Sequence, residues 1–261
     1  MINNLEIAIQ AALAAGKEIM KVYATEFLVE TKEDNTPLTQ ADKNANEVIN
    51  EHLKITNIPI LSEENKQLDF SERKDWTSFW LVDPLDGTKE FVKRNGEFTV
   101  NIALVVNGNP MLGVIYIPVL KSLYFTNENA SACYKYHVEK DDITISEILL
   151  TAQKLQPTKK KGQPIKILVS RSYLNDETQK FISEIKKEEV EIIQKGSALK
   201  FCLLAEGKGH IYPRFAPTME WDTAAGQAIC NAVGLQLIDM TTNKPMKYNK
   251  PNLLNNNFIV K

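Results

Sequence analysis

The sequence predicts a mixed fold, an α+β half followed by an α/β half. Three observations carry this. Two helical apolar patterns open the chain, β-rich segments around a turn cluster follow, and beyond residue 164 strand and helix signals alternate. Alternation of that kind argues for helices layered on a sheet. The 261 residues are 43% hydrophobic and 25% charged, which excludes a disordered or collagen-like chain. A polar, breaker-rich stretch with Pro157, Lys159, Lys160, Lys161, Gly162 and Pro164 marks the expected boundary between a domain at 1–155 and another at 156–261.

The elements follow in order. Ile2, Leu5, Ile9, Ala12, Leu13, Gly16, Ile19, Met20 and Tyr23 fall at helical spacing. A second helix is expected from Thr39, with Ala41, Ala45, Val48, Ile49 and Leu53 on its apolar face, and Asn57 to Pro59 break it. Ile58 to Leu61 reads as a short strand ending at Ser62-Glu63-Glu64, and Phe79 to Val82 as a buried strand stopped by Asp83-Pro84. Phe98 to Val106 and Met111 to Ile117 flank Asn107-Gly108-Asn109-Pro110, which is a hairpin signal. Leu123 to Thr126 adds a strand. In the second half, strands are expected at 165–170, 190–193 and 210–213, and helices at 176–187, 197–206 and 222–233.

Composition limits the function. The formal net charge is −2, with no basic stripe to bind a nucleic-acid duplex. No apolar run approaches the ~18–20 residues of a membrane span. The first ten residues lack the pattern of a secretory signal. Cys133, Cys202 and Cys230 are scattered, which argues for buried reduced thiols rather than a disulfide frame or a zinc site. A cytoplasmic chain is the expectation, with peripheral association at the inner face of a membrane left open and the oligomeric state unassigned.

The sharpest motif is Leu81-Val82-Asp83-Pro84-Leu85-Asp86-Gly87-Thr88. A buried strand runs into two carboxylates across a turn, and such turns hold their ends within ~7 Å. Two charges ~6 Å apart repel by ~3 kcal/mol at an effective dielectric near 20. The site is therefore either wet or compensated by positive charge. Oxygen donors with no His or Cys nearby favour Mg²⁺ or Ca²⁺ over zinc. Pro84 stands where a haloacid-dehalogenase-like phosphatase would carry its aspartyl nucleophile, so no phosphoaspartate can form there. Four further pieces each have a plain structural explanation beside a functional one. Glu63-Glu64 could be solvated surface. Thr39 to Asp42 has the form of a capping box. Asp222 and Ser197 both read as helix N-caps. A helix N-terminus is also where phosphate binds.

Together these pieces resemble the inositol monophosphatase superfamily of Mg²⁺-dependent, lithium-sensitive phosphatases. Glu63-Glu64, Asp83-Pro84-Leu85-Asp86-Gly87-Thr88 and Trp221-Asp222-Thr223-Ala224-Ala225-Gly226 occur in that family's order. The stretches LVDPLDGTKEFVKRNGEFTV (81–100), SALKFCLLAEG (197–207) and YPRFAPTMEWDTAAGQ (212–227) resemble its 3'(2'),5'-bisphosphate nucleotidase branch of the CysQ type. The resemblance implies a layered αβαβα sandwich of the inositol monophosphatase and fructose-1,6-bisphosphatase kind. It implies metal ligation by Glu63, Asp83, the Leu85 carbonyl, Asp86 and Asp222, with two or three Mg²⁺ ions as cofactor. Asp42 and Thr88 would activate the attacking water. Gly87 and Thr88 would meet the phosphate, with Glu63, Leu85, Asp86 and Asp222 also lining the substrate. Ser197, Lys200 and Arg214 would hold the rest of a small-molecule nucleotide. The implied reaction is hydrolysis of adenosine 3',5'-bisphosphate to AMP and phosphate, and of 3'-phosphoadenylyl sulfate, in sulfur assimilation. Tyr173 stands where the branch often carries a His. Alternatives are a phosphatase of inositol phosphate or of the NADP 2'-phosphate, or a non-catalytic metal-dependent nucleotide-binding protein.

Overall fold

The computed structural model describes residues 3–31, 37–140, 142–156, 164–172, 175–185 and 189–261. The polar link around 157–163 and Tyr173 therefore lie outside the described residues. Helix α1 (Asn4–Tyr23) starts where the Asn3 side chain accepts the Leu5 and Glu6 amides, and it buries Leu5, Ile9, Ala12 and Ile19. Strands β1 (Val29–Thr31) and β2 (Pro37–Thr39) pair antiparallel. Helix α2 (Gln40–Leu53) is capped by Thr39, as its sequence predicts, and packs on α1.

A seven-stranded sheet follows in simple spatial order. It comprises β3 (Ile60–Ser62), β4 (Ser78–Asp86), β5 (Thr99–Val106), β6 (Asn109–Ile117), β7 (Ser122–Thr126), β8 (Cys133–His137) and β9 (Gln153–Lys154). Only the β3–β4 pair is parallel. Short helices α3 (Phe70–Arg73), α4 (Thr88–Val92) and α5 (Ile145–Thr151) interrupt it. Its two faces are both covered. Trp80, Val82, Ile102 and Val114 point toward α1 and α2. Phe79, Leu81, Ala103 and Ile115 point the other way, toward α7 (Leu199–Ala205) and α8 (Ala224–Asn231). Burial on both faces explains why β4 reads as a continuous apolar run instead of an alternating one.

The parallel pair β10 (Ile165–Ser170) and β11 (Val190–Lys195) flanks α6 (Asp176–Ser183) in sequence. A four-stranded sheet runs β12 (Tyr212–Arg214), β15 (Phe258–Val260), β13 (Leu237–Asp239), β14 (Lys244–Pro245). A parallel bridge between Ile167 and Ile211 sets the pair beside this sheet. Phe201 of α7 packs its ring against Tyr212 and Phe258, which fixes the second sheet over α7 and α8. Helix α6 lies outside, where Phe181 meets Phe215 edge to face. The layers are thus helix, sheet, helix, sheet, helix, the sandwich that the resemblance implies. No helix among the described residues is long and apolar enough to cross a membrane.

Two expectations need correction. Strand β4 does not stop at Asp83-Pro84 but pairs with β5 through Asp86, where one extra residue bulges. Pro84 has no N–H to donate, and a bulge is where a strand tolerates that. The second-half helices are shorter than expected: α6 ends at Ser183, α7 begins at Leu199 and α8 at Ala224. Strands β8, β9 and β13 to β15 have no counterpart in the sequence reading. They are two to five residues long, and their partners are set by tertiary pairing rather than local pattern.

Gly113 lets α8 lie close against β6. A Cβ there would sit 2.5 Å from the Ala225 carbonyl oxygen and 2.8 Å from Ala228 Cβ. The obstacle is helix backbone, which cannot rotate away. Gly113→Ala is expected to lower stability by about 1–3 kcal/mol, seen as a lower urea midpoint with an unchanged slope.

Candidate active site

The parallel register of β3 with β4 places Ser62 beside Val82, and the Glu63 amide bonds to the Val82 carbonyl at 3.1 Å. Glu63 therefore leaves its strand beside Asp83. The turn that bears Asp222 (Glu220–Asp222) packs against β4 from the second half. Carboxylate oxygens of Glu63, Asp83 and Asp222 come within 4.8 Å of one another. Asp86, after the bulge, lines the same cleft and accepts from Asn101 Nδ2 at 3.3 Å. The Leu85 amide bonds back to Asp83 Oδ1 at 3.1 Å, which tightens the turn and leaves the Leu85 carbonyl near Thr88.

Electrostatics follow from this crowding. Burial, then the neighbouring Glu63, Asp86, Asp222 and Asp42 carboxylates, raise Asp83 well above the ordinary carboxylate value. Asp222 is pushed up to about 8 by burial and by Asp86 and Glu63. Burial lifts Asp86 to about 6, against the opposing pull of Lys200 and the Asn101 hydrogen bond. Hard, anionic oxygen donors that repel one another in a cleft suit a divalent cation of the Mg²⁺ or Ca²⁺ type. Glu63, Asp83, Asp86 and Asp222, with the Leu85 carbonyl, are the residues that could hold it.

Beside the acids stands a second device. Asp42 Oδ2 accepts the Thr39 amide at 2.7 Å and the Thr39 hydroxyl at 2.6 Å. This is the capping box, and it uses one carboxylate oxygen. The other oxygen, Oδ1, accepts the Thr88 hydroxyl at 3.2 Å. Capping and a role beside the cleft are thus compatible in one buried side chain. Thr88 opens α4 after Gly87, whose φ of 94° favours glycine.

The far wall comes from the second half. Lys200 is buried, donates to the Ser197 and Lys195 carbonyls, and is lowered to about 8 by burial, with Asp86 opposing. Arg214 is buried nearby and bonds to the Pro217 carbonyl. Ser197 is not the N-cap of α7, which is Ala198. It sits at a φ of 44°, and its Oγ is buried without a hydrogen-bond partner among the described residues. Nor does Asp222 cap α8: that position is Thr223, and the Asp222 carboxylate accepts the Met219 amide at 2.7 Å. Glu63, Asp83, Leu85, Asp86, Gly87, Thr88, Ser197, Lys200, Arg214 and Asp222 line one open cleft, and Asp42 joins it through Thr88.

Several residues about the cleft were not visible in the sequence. Glu90 is buried and accepts from Ser172. Glu220, fully buried, accepts the Asn249 and Lys250 amides and the Lys250 ammonium, anchoring the turn of Asp222. Glu97 gathers Arg171, Lys195 and Gly196. Their partners lie tens of residues away, so only the adjacency of Glu90 to the acidic motif could have pointed to any of them.

Comparison with known proteins agrees with the geometry. Residues 3–260 match the inositol monophosphatase family. The chain is 43% identical over 239 residues to the 3'(2'),5'-bisphosphate nucleotidase CysQ of Salmonella typhimurium, covering 90% of each chain. It is 40% identical over 248 residues to that of Escherichia coli K12, covering 94% of this chain and 93% of the other. The crystal structure of CysQ from Bacteroides thetaiotaomicron superposes with a TM-score of 0.88 at 46% identity, covering 99% of this chain and 96% of that one. An inositol monophosphatase from Thermotoga maritima shares the fold, with a TM-score of 0.76 at 21% identity over 100% of this chain and 92% of that one.

The raised carboxyls predict a pH-dependent response to metal. Asp86 is pushed up to about 6 and Asp222 to about 8, above the ordinary aspartate range, so the cation-free fold binds more protons than the unfolded chain from that range up to these values. Its stability then falls as pH rises through that window. A divalent cation binds the ionised cluster and offsets the loss. Saturating Mg²⁺ is expected to raise the melting temperature more at pH 8 than at pH 6, near the two titration points. Equal shifts at both would count against the carboxylate cluster as the binding site.

Proposed function

The chain belongs to the inositol monophosphatase family, and from that premise we propose that it is a Mg²⁺-dependent 3'(2'),5'-bisphosphate nucleotidase. It removes the 3'-phosphate of adenosine 3',5'-bisphosphate to give AMP and phosphate, and acts likewise on 3'-phosphoadenylyl sulfate, in sulfur assimilation. The observation that carries this reading is the pairing, in one cleft, of an acidic cluster with two buried cations. Glu63, Asp83, Asp86 and Asp222 face Lys200 and Arg214 across it. A monoester would need only the acidic end. A second phosphate gives the buried Lys and Arg an anion to bind, and Arg suits phosphate by its paired N–H groups. A cytoplasmic location belongs to the same reading, supported by three buried free thiols.

Glu63, Asp83, the Leu85 carbonyl, Asp86 and Asp222 would hold two or three Mg²⁺ ions. Bound there, the ions would neutralise phosphoryl charge and make a water more acidic. The chain's own residues do the rest. Thr39 fixes Asp42 Oδ2, so Oδ1 faces Thr88 in one orientation. The Thr88 hydroxyl has one proton and donates it to Asp42, which leaves its lone pairs to accept from water. A proton lost by the attacking water passes through Thr88 Oγ1 to Asp42 Oδ1. The water oxygen bonds to phosphorus as the bond to the ribose 3'-oxygen breaks, and that oxygen takes a proton from solvent. Lys200, Arg214 and the Ser197 hydroxyl hold the 5'-phosphate, so the 3'-phosphate meets the acids. Positioning and charge neutralisation are what phosphoryl transfer mainly requires.

The test is phosphate release from adenosine 3',5'-bisphosphate beside inositol 1-phosphate, with Mg²⁺, with EDTA and with added Li⁺. Preference for the bisphosphate, lost in EDTA and reduced by Li⁺, is expected. Preference for inositol phosphate would overturn the substrate. Asp86→Asn is expected to cut kcat by ~10²-fold or more at saturating Mg²⁺, on the scale of losing one preorganised electrostatic group. Near-full activity would overturn its assignment as a ligand.

A further inference from the structure

Outside the acids and cations of the cleft, one buried carboxylate draws together two segments of the second half, at the ends of β10 and β11. Glu97 lies between α4 and β5, in the first half. Its Oε2 accepts Arg171 Nε at 2.7 Å and the Gly196 amide at 2.8 Å. Its Oε1 accepts Arg171 Nη2 at 2.8 Å and Lys195 Nζ at 2.9 Å. All four bonds are charge-assisted, and the Arg171 pair is bidentate. Although burial raises Glu97, the bonds from Arg171, Lys195 and Gly196 outweigh it and hold the group at about 2, so it stays ionised at any assay pH.

The partners decide what this clamp does. Arg171 directly follows β10 and precedes Ser172, which lines the cleft. Lys195 ends β11, and Gly196 leads into Ser197 and Lys200 on the far wall. The Glu97 carbonyl oxygen also lies 3.0 Å from where a Cβ on Gly87 would sit, and Ser197 Cβ lies 3.2 Å from the same point. Glu97 therefore stands between the Gly87-Thr88 turn, which faces the acids, and the ends of the two parallel strands that bear the opposite wall. Its side chain does not line the cleft itself.

Resting on the bisphosphate reading above, we infer that Glu97 is a positioning residue that sets the distance between the 3'-phosphate and 5'-phosphate ends of the site, and so determines selectivity for doubly phosphorylated nucleotides. A substrate that engages both ends depends on this spacing. A substrate that engages the acidic end alone depends on it much less. The carboxylate acts through Gly196, Ser197 and Arg171, never on the reacting atoms.

The test compares KM and kcat for adenosine 3',5'-bisphosphate and 3'-AMP in the full chain, in Glu97→Gln, in Arg171→Gln and in the double variant of the two. The second variant breaks the same bidentate pair from its exposed side, and it decides the matter where Glu97→Gln fails to fold. The expected result is a KM for the bisphosphate raised ~10-fold, as for loss of about 1.4 kcal/mol of binding, with kcat changed less than about twofold. The KM for 3'-AMP shifts much less, and the double variant does little more harm than either single one. Equal losses on both substrates, or a fall in kcat without a change in KM, would overturn the inference and leave the nucleotidase reading intact. A parent chain that releases no phosphate from the bisphosphate would overturn both.

Discussion

Glu63, Asp83 and Asp222 bring carboxylate oxygens within 4.8 Å of one another in an open cleft. Each ionised pair at that distance repels by roughly 3 kcal/mol at an effective dielectric near 20. A fold that assembles such a cluster must hold it from outside. The parallel β3–β4 register fixes the first two acids, and the bulge after Asp83 turns the chain so that Asp86 joins them. The third acid arrives on a separate turn, anchored by the buried Glu220 and the Lys250 ammonium. The scaffold therefore resists the repulsion with backbone and hydrogen bonds. A bound cation would then turn a destabilising feature into a binding site.

The same economy appears around Asp42. One carboxylate serves a helix cap with one oxygen and Thr88 with the other. Read in sequence, the capping box and the functional reading compete. In three dimensions a carboxylate has enough acceptor sites for both. For Ser197 and Asp222 the local explanation fails, because α7 and α8 begin one or two residues later than the sequence pattern suggests. Neither residue caps the helix it precedes, and both line the cleft. The buried Ser197 Oγ has no hydrogen-bond partner among the described residues, a state that costs stability and so points to a ligand.

What was legible in the sequence has a common physical basis. Helical periodicity revealed α1 and α2, because each buries one long face, and two β-rich runs around a turn cluster revealed β5 and β6. The acidic motif was visible because Asp83, Pro84, Asp86 and Gly87 each meet a local backbone or charge demand within one turn. Short strands such as β14 and β15 were hidden, since they exist through their partners. So were Glu90, Glu97 and Glu220. Each is a buried acid whose meaning lies in contacts with distant segments, and a single Glu in sequence is read as surface.

These hidden acids share a position in the architecture. The cleft is formed by two halves, and neither half alone has both the cluster and the cations. Asp83 and Asp86 come from the first sheet, whereas Asp222, Lys200 and Arg214 come from beyond it. Hydrophobic packing joins the halves through Phe201, Trp221 and Ala225 against Leu81 and Ala103, but such contacts are non-directional. They bring two walls together without fixing their separation. Hydrogen-bonded charges do fix it, because bond length and direction are both constrained. Glu97 to Arg171 and Lys195, and Arg73 to Asn249 and the Lys250 and Pro251 carbonyls, each tie the first half to the second. Apolar burial thus supplies the adhesion of the two halves, while these charge-assisted ties supply the spacing on which recognition of two phosphates would depend.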